Sequence, residues 1–281
     1  MVTRLYRNGQ TTHVFTLCAE LLRQGHHVFL LVSPHHDPID LQWLQQTGIP
    51  YATTLNLTRL SKYLAQWRPQ IIHNHSAHTI SAAITLSRLL QIPIVTTVHY
   101  LDFAPVDLLA KQDAVIFISS EMKANFEYLP VPTFVIENGI PLPQGHPTLK
   151  PWQRQALFLA QVTPEKEENF QMMSESLLAW GWQVTSAGNW RHKGIQNLGW
   201  VKEVQPLLRH SNLVIGTGRA VREGMAAGCA VWVLGAYSDG LVTPNNVGLL
   251  QQTNFSGRSS KKPFCPEKAA KPRRPRPSQP G

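Results

Sequence analysis

One stretch in the second half of the chain, residues 212–233, constrains the fold more than any other. Its segment 213–215 is apolar and β-branched, as a buried parallel strand should be. Gly216 and Gly218 follow, and glycine lets a backbone turn sharply and approach a ligand closely. The segment 221–227 has a helical pattern and leads into a second apolar strand. Because free N–H groups and the helix dipole favour an anion at such a helix start, the stretch predicts an α/β fold with a phosphate-binding turn.

The spacing of these glycines differs from the dinucleotide-binding fingerprint, since Val221 stands where a third glycine is required. From Gly216 to Val231 the sequence reads Gly-x-Gly-Arg-Ala-Val-x-Glu-x-Met-Ala-Ala-Gly-x-x-Val. This segment resembles the donor site of retaining GT-B glycosyltransferases, in particular of the large bacterial group that builds surface glycans and glycolipids from nucleotide-sugars. The resemblance implies an α/β chain of two Rossmann-like domains that face a cleft.

The resemblance assigns donor-binding roles to residues of the second half. Glu223 matches the second of two glutamates with seven residues between them and would hold the ribose, whereas Ile215 stands at the position of the first. Lys166 matches a lysine that binds the donor diphosphate, but Gln161 replaces the family's arginine. A neutral amide cannot neutralise a phosphate charge. We therefore expect Arg219 to supply the missing cation, the alternative being a surface arginine that pairs with a carboxylate.

The beginning of the chain resembles part of the family's first strand and loop. The segment 8–14 matches the glycine-bearing loop and the helix start, with Gly9 on the sugar and acceptor side. Residues 1–3 supply only the end of the preceding strand. Because the first strand of a doubly wound sheet is central, its loss would expose neighbouring strand edges. We expect either a start further upstream or an impaired protein, and a gain in stability when the strand is restored.

Histidines end two expected strands of the first half. His73 and His75 lie two residues apart and should point to the same side of their strand. A metal site completed by His78 or His99 is one interpretation, but paired histidines more often pack or form hydrogen bonds. The resembling family has this pair without a metal, so we expect none. His99 ends the strand 94–98, and the resemblance places it near the donor sugar rather than against a backbone carbonyl.

Prolines divide the chain into segments. The proline-rich stretch 141–151 is typical of an interdomain linker. We expect an N-terminal acceptor-side domain at residues 1–145, with its first strand largely missing, and a nucleotide-sugar-binding domain at residues 152–256. Residues 257–281 are basic and proline-rich without apolar periodicity, which predicts a disordered and dispensable tail.

The net charge of +9 is concentrated in this tail. Residues 257–281 hold eight basic residues and one acidic residue, which leaves a net charge of +2 for residues 1–256. The nearly neutral body predicts no nucleic-acid surface. No apolar run is long enough to span a membrane, and the three distant cysteines indicate a reducing cytoplasm without disulfides.

The implied reaction moves a sugar from a nucleoside diphosphate sugar to an acceptor hydroxyl with retention of configuration. Lys166, Arg219 and the N–H groups around Gly216 and Gly218 would stabilise the departing diphosphate without a metal or a cofactor. His99 and Glu223 are the residues expected to act in catalysis. The acceptor is a glycan, a lipid or a small molecule, and the resemblance leaves open a peripheral contact with the inner face of the membrane.

Two other interpretations compete with this function. The first is a truncated, catalytically weak GT-B remnant that binds a nucleotide or a partner without turnover. It is favoured by Ile215, by Gln161, by the largely missing first strand and by the absence of the helices that usually close the family's fold. The second is a nucleotide-sugar epimerase, which can share the fold.

Overall fold

The computed structural model describes residues 1–6, 8–34, 38–54, 56–126, 128–142 and 151–266. The chain divides into two units, Met1–Gly139 and Ile140–Gly281, and each is built around its own sheet. Most of the expected linker, residues 143–150, lies outside the described residues. None of the described helices is long and apolar enough to cross a membrane.

Strands and helices alternate along the first unit, as expected for a parallel α/β sheet. The elements are β1 (Val2–Thr3), α1 (Gly9–Arg23), β2 (Leu30–Val32), α2 (Pro38–Gln46), β3 (Tyr51–Ala52), α3 (Leu57–Trp67), β4 (Ile72–Asn74), α4 (Ile80–Leu90), β5 (Ile94–Val98), β6 (Ala114–Phe117), α5 (Ser120–Ala124) and β7 (Thr133–Val135). The described strands form one sheet in the order β3-β2-β1-β4-β5-β6-β7, and every neighbouring pair is parallel.

The side chains of β2 alternate between the two faces of the sheet, and both faces are covered by helices. Leu31 packs in a core with Leu60 of α3 and Ile84 of α4. Leu30 packs instead with Val14 of α1. Successive strand residues point to opposite faces, so a strand that is apolar throughout is buried on both. The first unit is therefore a doubly wound sheet.

The short strand β1 lies in the middle of this sheet, between β2 and β4. Val2 pairs with Leu31 on one side and with Asn74 on the other. The amide of His75 donates a hydrogen bond to the carbonyl oxygen of Val2 at 2.9 Å. This bond places His75 at the carboxyl end of β1, next to the loop that leads into α1.

The second unit repeats this arrangement with a smaller sheet. Its elements are β8 (Gln155–Ala160), α6 (Glu167–Ala179), β9 (Gln183–Gly188), β10 (Gln196–Asn197), α7 (Gln205–His210), β11 (Leu213–Gly216), α8 (Arg219–Ala226), β12 (Ala230–Leu234), β13 (Ser238–Leu241) and α9 (Val247–Gln252). The order is β10-β9-β8-β11-β12-β13, and only the β12–β13 pair among the described strands is antiparallel. Phe158 packs with Phe170 of α6, whereas Leu157 packs with Val221 of α8, so this sheet is also covered on both faces.

The strand, glycine turn, helix and strand predicted for residues 212–233 are confirmed as β11, α8 and β12. The polar segment Ser238–Leu241 forms the edge strand β13. Leu241 pairs with Trp232 there in an antiparallel register. A polar edge strand leaves little hydrophobic periodicity, so the sequence pattern did not indicate it.

The expectation that disorder begins at residue 257 is wrong for residues 257–266. Phe264 is 3% exposed and meets Trp232 edge to face, with the ring centroids 5.8 Å apart. The amide of Phe264 donates to Oδ1 of Asn169 at 2.8 Å, and the carbonyl of Lys262 accepts from the amide of Ser238 at 2.7 Å. One aromatic side chain anchors a segment whose average composition is polar. Residues 267–281 lie outside the described residues.

The packing of α8 against β11 and β12 gives a first prediction. A Cβ on Gly224 would lie 2.9 Å from Cγ2 of Val231 and 3.1 Å from Cβ of Val214, so Gly224→Ala should destabilise the protein by about 1–3 kcal/mol. Gly248 lies in α9 with no atom within 4 Å of its Cβ position. Gly248→Ala should therefore stabilise the protein by about 0.5–1 kcal/mol. Urea denaturation of both variants measures the difference, and equal effects would contradict the close packing of α8.

The burial of Phe264 within residues 257–266 gives a second prediction. Phe264→Ala should lower the free energy of unfolding by about 3–5 kcal/mol, because a buried aromatic ring is lost from the core. Leu249 is 60% exposed, so Leu249→Ala serves as the control and should change stability by less than about 0.5 kcal/mol. A wild-type melting temperature for Phe264→Ala would show that residues 257–266 contribute nothing to the fold.

Candidate functional site

Both sheets bring loops together where their strand order reverses. This position lies between β1 and β4 in the first sheet and between β8 and β11 in the second. In open α/β sheets, ligands bind at this position beyond the carboxyl ends of the strands. His75 follows β4 there, and in the second unit Lys166 follows β8 and Gly218 follows β11. Each unit therefore contributes its own candidate site.

The glycine turn of the second unit is shaped by close backbone contacts. A Cβ on Gly216 would lie 2.5 Å from the carbonyl oxygen of Leu159, so the two strands leave no room for a side chain. Gly218 has a φ of +57°, which glycine adopts without strain, and α8 begins at the next residue. The amide of Gly218 donates to the carbonyl of Phe255 at 2.9 Å. Any phosphate contact at this turn is therefore left to the neighbouring N–H groups.

Arg219 and Glu223 form a buried ion pair on successive turns of α8. Nε of Arg219 donates to Oε1 of Glu223 at 2.7 Å, and the two side chains are 10% and 9% exposed. Burial raises the pKa of Glu223 above its ordinary value, while the guanidinium of Arg219 opposes that shift. The structure therefore shows the arginine bound to a carboxylate, the alternative to the expected phosphate role, although the pair is buried rather than on the surface.

Lys166 lies beyond β8, where the resemblance places the donor diphosphate. Its Nζ donates to the carbonyl oxygen of Gln161 at 3.1 Å. Burial lowers the pKa of Lys166; Glu165 opposes this shift, and Arg258 lowers the pKa further. Arg258 is thus close enough to Lys166 to add a second positive charge to this loop. The sequence analysis missed it because residue 258 was assigned to a disordered tail.

Ile215 occupies the position at which the donor motif has its first glutamate. The residue is fully buried in β11, where it pairs with Phe158 on β8 and Trp232 on β12. Its side chain belongs to the core of the second unit. The position therefore contributes to packing.

Three histidines come together beyond the carboxyl ends of strands in the first unit. The ring nitrogens of His13, His75 and His99 that could bind a ligand all lie within 4.8 Å of one another. Nδ1 of His75 and Nε2 of His99 are 3.3 Å apart, so in the absence of a ligand one ring donates and the other accepts. His75 is fully buried and His99 is 8% exposed. Burial holds the pKa of each well below its usual value, and neighbouring rings lower it further, so both imidazoles are neutral.

His73 lies beside this cluster, as the strand pattern predicted. The rings of His73 and His75 have centroids 4.0 Å apart. Nε2 of His73 is hydrogen-bonded to Oγ1 of Thr97 at 2.7 Å, and burial lowers the pKa of His73 to about 3. His73 therefore links β4 to β5. Neither it nor His78 belongs to the three-histidine cluster of the described residues.

Helix α1 supplies the third histidine, which the sequence analysis did not consider as a ligand. Gly9 is the first residue of this helix, and Oδ1 of Asn8 caps it by accepting from the amide of Thr11 at 3.2 Å. Residues four apart share a helix face, so His13 lies on the same side of α1 as Gly9. That spacing is the signal that could have identified His13.

Comparison with known proteins agrees with this architecture. Residues 7–144 match the sequence model of Glycosyltransferase Family 4, which covers nearly all of the first unit. The structure of HepE from Anabaena in complex with UDP and glucose is 14% identical, with a TM-score of 0.65 over 82% of this chain and 79% of HepE. MurG from Acinetobacter baumannii is 14% identical, with a TM-score of 0.55 over 95% of this chain and 87% of MurG. This chain has the GT-B fold.

The expected resemblance to GT-B glycosyltransferases is thus confirmed, and the family match supports a glycosyltransferase function. This chain is also similar in structure to a putative UDP-N-acetylglucosamine 2-epimerase from Listeria monocytogenes. That protein is 15% identical, with a TM-score of 0.51 over 82% of this chain and 77% of the epimerase. No curated protein matches this chain. The fold alone therefore does not separate sugar transfer from epimerisation.

The buried pair on α8 gives a third prediction. Arg219→Met leaves the carboxylate of Glu223 buried without its cation and should cost about 3–5 kcal/mol of stability. Replacing both residues, as Arg219→Met with Glu223→Leu, should recover most of that loss because no buried charge remains. Urea denaturation of the wild type, the two single variants and the double variant completes the cycle. Additive losses in the double variant would contradict a coupled pair.

Proposed function

We propose that this GT-B chain transfers a sugar from a nucleoside diphosphate sugar to an acceptor hydroxyl, with retention of configuration. The observation that carries the proposal is the Glycosyltransferase Family 4 match of residues 7–144. The structure of HepE in complex with UDP-glucose supports it, because it is an example of this fold with a nucleotide-sugar.

The second unit is proposed to bind the donor. Lys166 and the start of α8 both lie where the order of the second sheet reverses, and cations and helix N-termini favour a diphosphate. Glu223 is proposed to accept hydrogen bonds from the ribose. Its carboxylate would then be shared with Arg219, which stabilises the charged form of Glu223. This arrangement lets the arginine act on the donor through the glutamate as well as directly.

The first unit is proposed to serve the transferred sugar and the acceptor through His99 and Gly9. A neutral imidazole can accept from or donate to a sugar hydroxyl without placing a charge beside it. The acceptor is proposed to be a glycan, a lipid or a small molecule, in the synthesis of a surface glycan or glycolipid at the inner face of the membrane. Departure of the diphosphate is the step that the cations of the second unit would assist.

A second candidate function is nucleotide binding without turnover. Ile215 packs in the core where the donor motif has a glutamate, and Gln161 stands where it has an arginine. Incubation with UDP-glucose and with other nucleoside diphosphate sugars separates the candidates. Release of free nucleoside diphosphate that depends on an acceptor supports transfer. Binding without release supports the second candidate, and conversion of the sugar on the intact nucleotide indicates an epimerase.

Donor binding gives a fourth prediction. Lys166→Ala should weaken UDP binding by about ten- to a hundredfold, because one charge-assisted hydrogen bond is worth about 1.5–3 kcal/mol. Arg219→Lys should also weaken it although the charge is kept, because the planar guanidinium fork is lost. Titration calorimetry with UDP and with guanosine diphosphate measures both effects.

The control for these titrations is Arg209→Lys, which changes an exposed arginine on α7. This helix precedes β11, so the substitution lies toward the amino ends of the strands and away from the donor loops. Its affinity should equal that of the wild type. Unchanged binding by Lys166→Ala and Arg219→Lys would contradict the donor site, and no binding by the wild type would contradict the proposed function.

A further inference from the structure

The chain that follows α9 returns to the donor side of the second unit. Residues 254–258 cross the carboxyl ends of β11 and β12. The amide of Gly218, after β11, donates to the carbonyl oxygen of Phe255 at 2.9 Å. A Cβ on Gly235, after β12, would lie 2.7 Å from the carbonyl oxygen of Ser256. The backbone of this segment therefore packs directly on the glycine turn that is proposed to receive the donor phosphates.

The residues that follow Arg258 hold it in place. The carboxylate of Asp239 on β13 accepts from the amides of Ser259 at 3.3 Å and of Ser260 at 2.7 Å. Further along, the ring of Phe264 is 3% exposed and belongs to the core. Arg258 thus extends from a backbone that is fixed on both sides, and it remains partly exposed. Its guanidinium is available at the donor end of the sheet.

The loop that contains Lys166 reaches the same place from the other direction. Lys166 immediately precedes α6. In the first turn of that helix, Nδ2 of Asn169 donates to the carbonyl oxygens of Gly235 at 3.2 Å and of Ala236 at 2.8 Å. Gly235 is also the residue whose Cβ position meets Ser256. The two segments that carry Lys166 and Arg258 therefore meet at the end of β12.

The electrostatics of Lys166 agree with this arrangement. Burial lowers the pKa of Lys166; Glu165 opposes this shift, and Arg258 lowers the pKa further. Two cations repel each other, so a fold that places them side by side is stabilised when an anion binds between them. The anion proposed for this loop is a diphosphate.

The other groups expected to balance a diphosphate cannot do so alone. Gln161 is neutral, and the carboxylate of Glu223 offsets the charge of Arg219 through the 2.7 Å contact. Lys166 is left with a ligand that carries more than one negative charge. A second cation at the end of β12 would restore the balance.

We propose that Arg258 is a donor-binding residue, and that its guanidinium binds the diphosphate together with Lys166. This role rests on the proposed function of the second unit. The planar guanidinium can bind two phosphate oxygens at once, which the amide of Gln161 cannot do with a charge. The cation that the resemblance places after β8 is then supplied by the segment after α9. Residues 257–266 are in that case required for donor binding.

The test is titration calorimetry of the full chain with UDP. Arg258→Gln should weaken UDP binding about ten- to a hundredfold, because one charge-assisted hydrogen bond is lost. Arg258→Lys keeps the charge without the planar fork, so its affinity should fall between those of the wild type and Arg258→Gln. Lys262→Gln is the matched control, since it removes the same charge from an exposed position of the same segment. Its affinity should equal that of the wild type.

Uridine separates a direct contact from a structural role. It has no phosphate, so the wild type and Arg258→Gln should bind it equally. An equal loss with uridine and with UDP would overturn the proposal, because Arg258 would then only support the fold of the site. Melting temperatures check that each variant is folded. Arg258→Met, which keeps the apolar part of the side chain, is the second variant for removal of the charge.

Wild-type UDP affinity in folded Arg258→Gln or Arg258→Met overturns the proposal, and so does an equal loss in Lys262→Gln. A loss of UDP binding in Lys166→Ala would in that case keep the donor site and the proposed function. Failure of the wild type to bind any nucleoside diphosphate would instead overturn both. The two failures are therefore distinguishable.

Discussion

The parallel direction of the strands is the constraint on which both candidate sites depend. Every pair of described strands in the first sheet is parallel, and among those of the second sheet only the edge pair β12–β13 is antiparallel. All carboxyl ends of a parallel sheet lie at one edge, and the reversal of strand order opens a space between two of its loops. Residues far apart in the chain, such as His13 and His99, or Lys166 and Arg219, are collected at these edges for that reason.

The two edges differ in electrostatic character. The first unit buries neutral imidazoles, whose low pKa values follow from loss of solvent around the ring. The second unit collects charged groups, with Arg219 paired to Glu223 and Lys166 influenced by Arg258. Neutral rings suit hydroxyl groups, whereas cations suit phosphate. This division supports a donor on the second unit and sugar or acceptor chemistry on the first.

Much of the fold could be predicted because its signals are local. The segment 212–233 folds as a strand, a glycine turn, a helix and a strand, as the pattern indicated. Strand β13 and the anchoring of Phe264 could not be predicted in this way. Each depends on one pairing partner in the core, Trp232, while its own segment has little periodic apolar character.

The sequence by itself determined two doubly wound sheets, the glycine turn at Gly216 and Gly218, and the resemblance to GT-B enzymes. Strand and helix periodicity and the conformational freedom of glycine act over a few residues, so a single sequence contains them. Only the tertiary structure decided that His13 joins His75 and His99, and that the ion pair of Arg219 with Glu223 is buried. The histidines are brought together by pairing between distant strands. The four-residue spacing of Arg219 and Glu223 on α8 allows the ion pair, and only the packing of α8 against the sheet buries it.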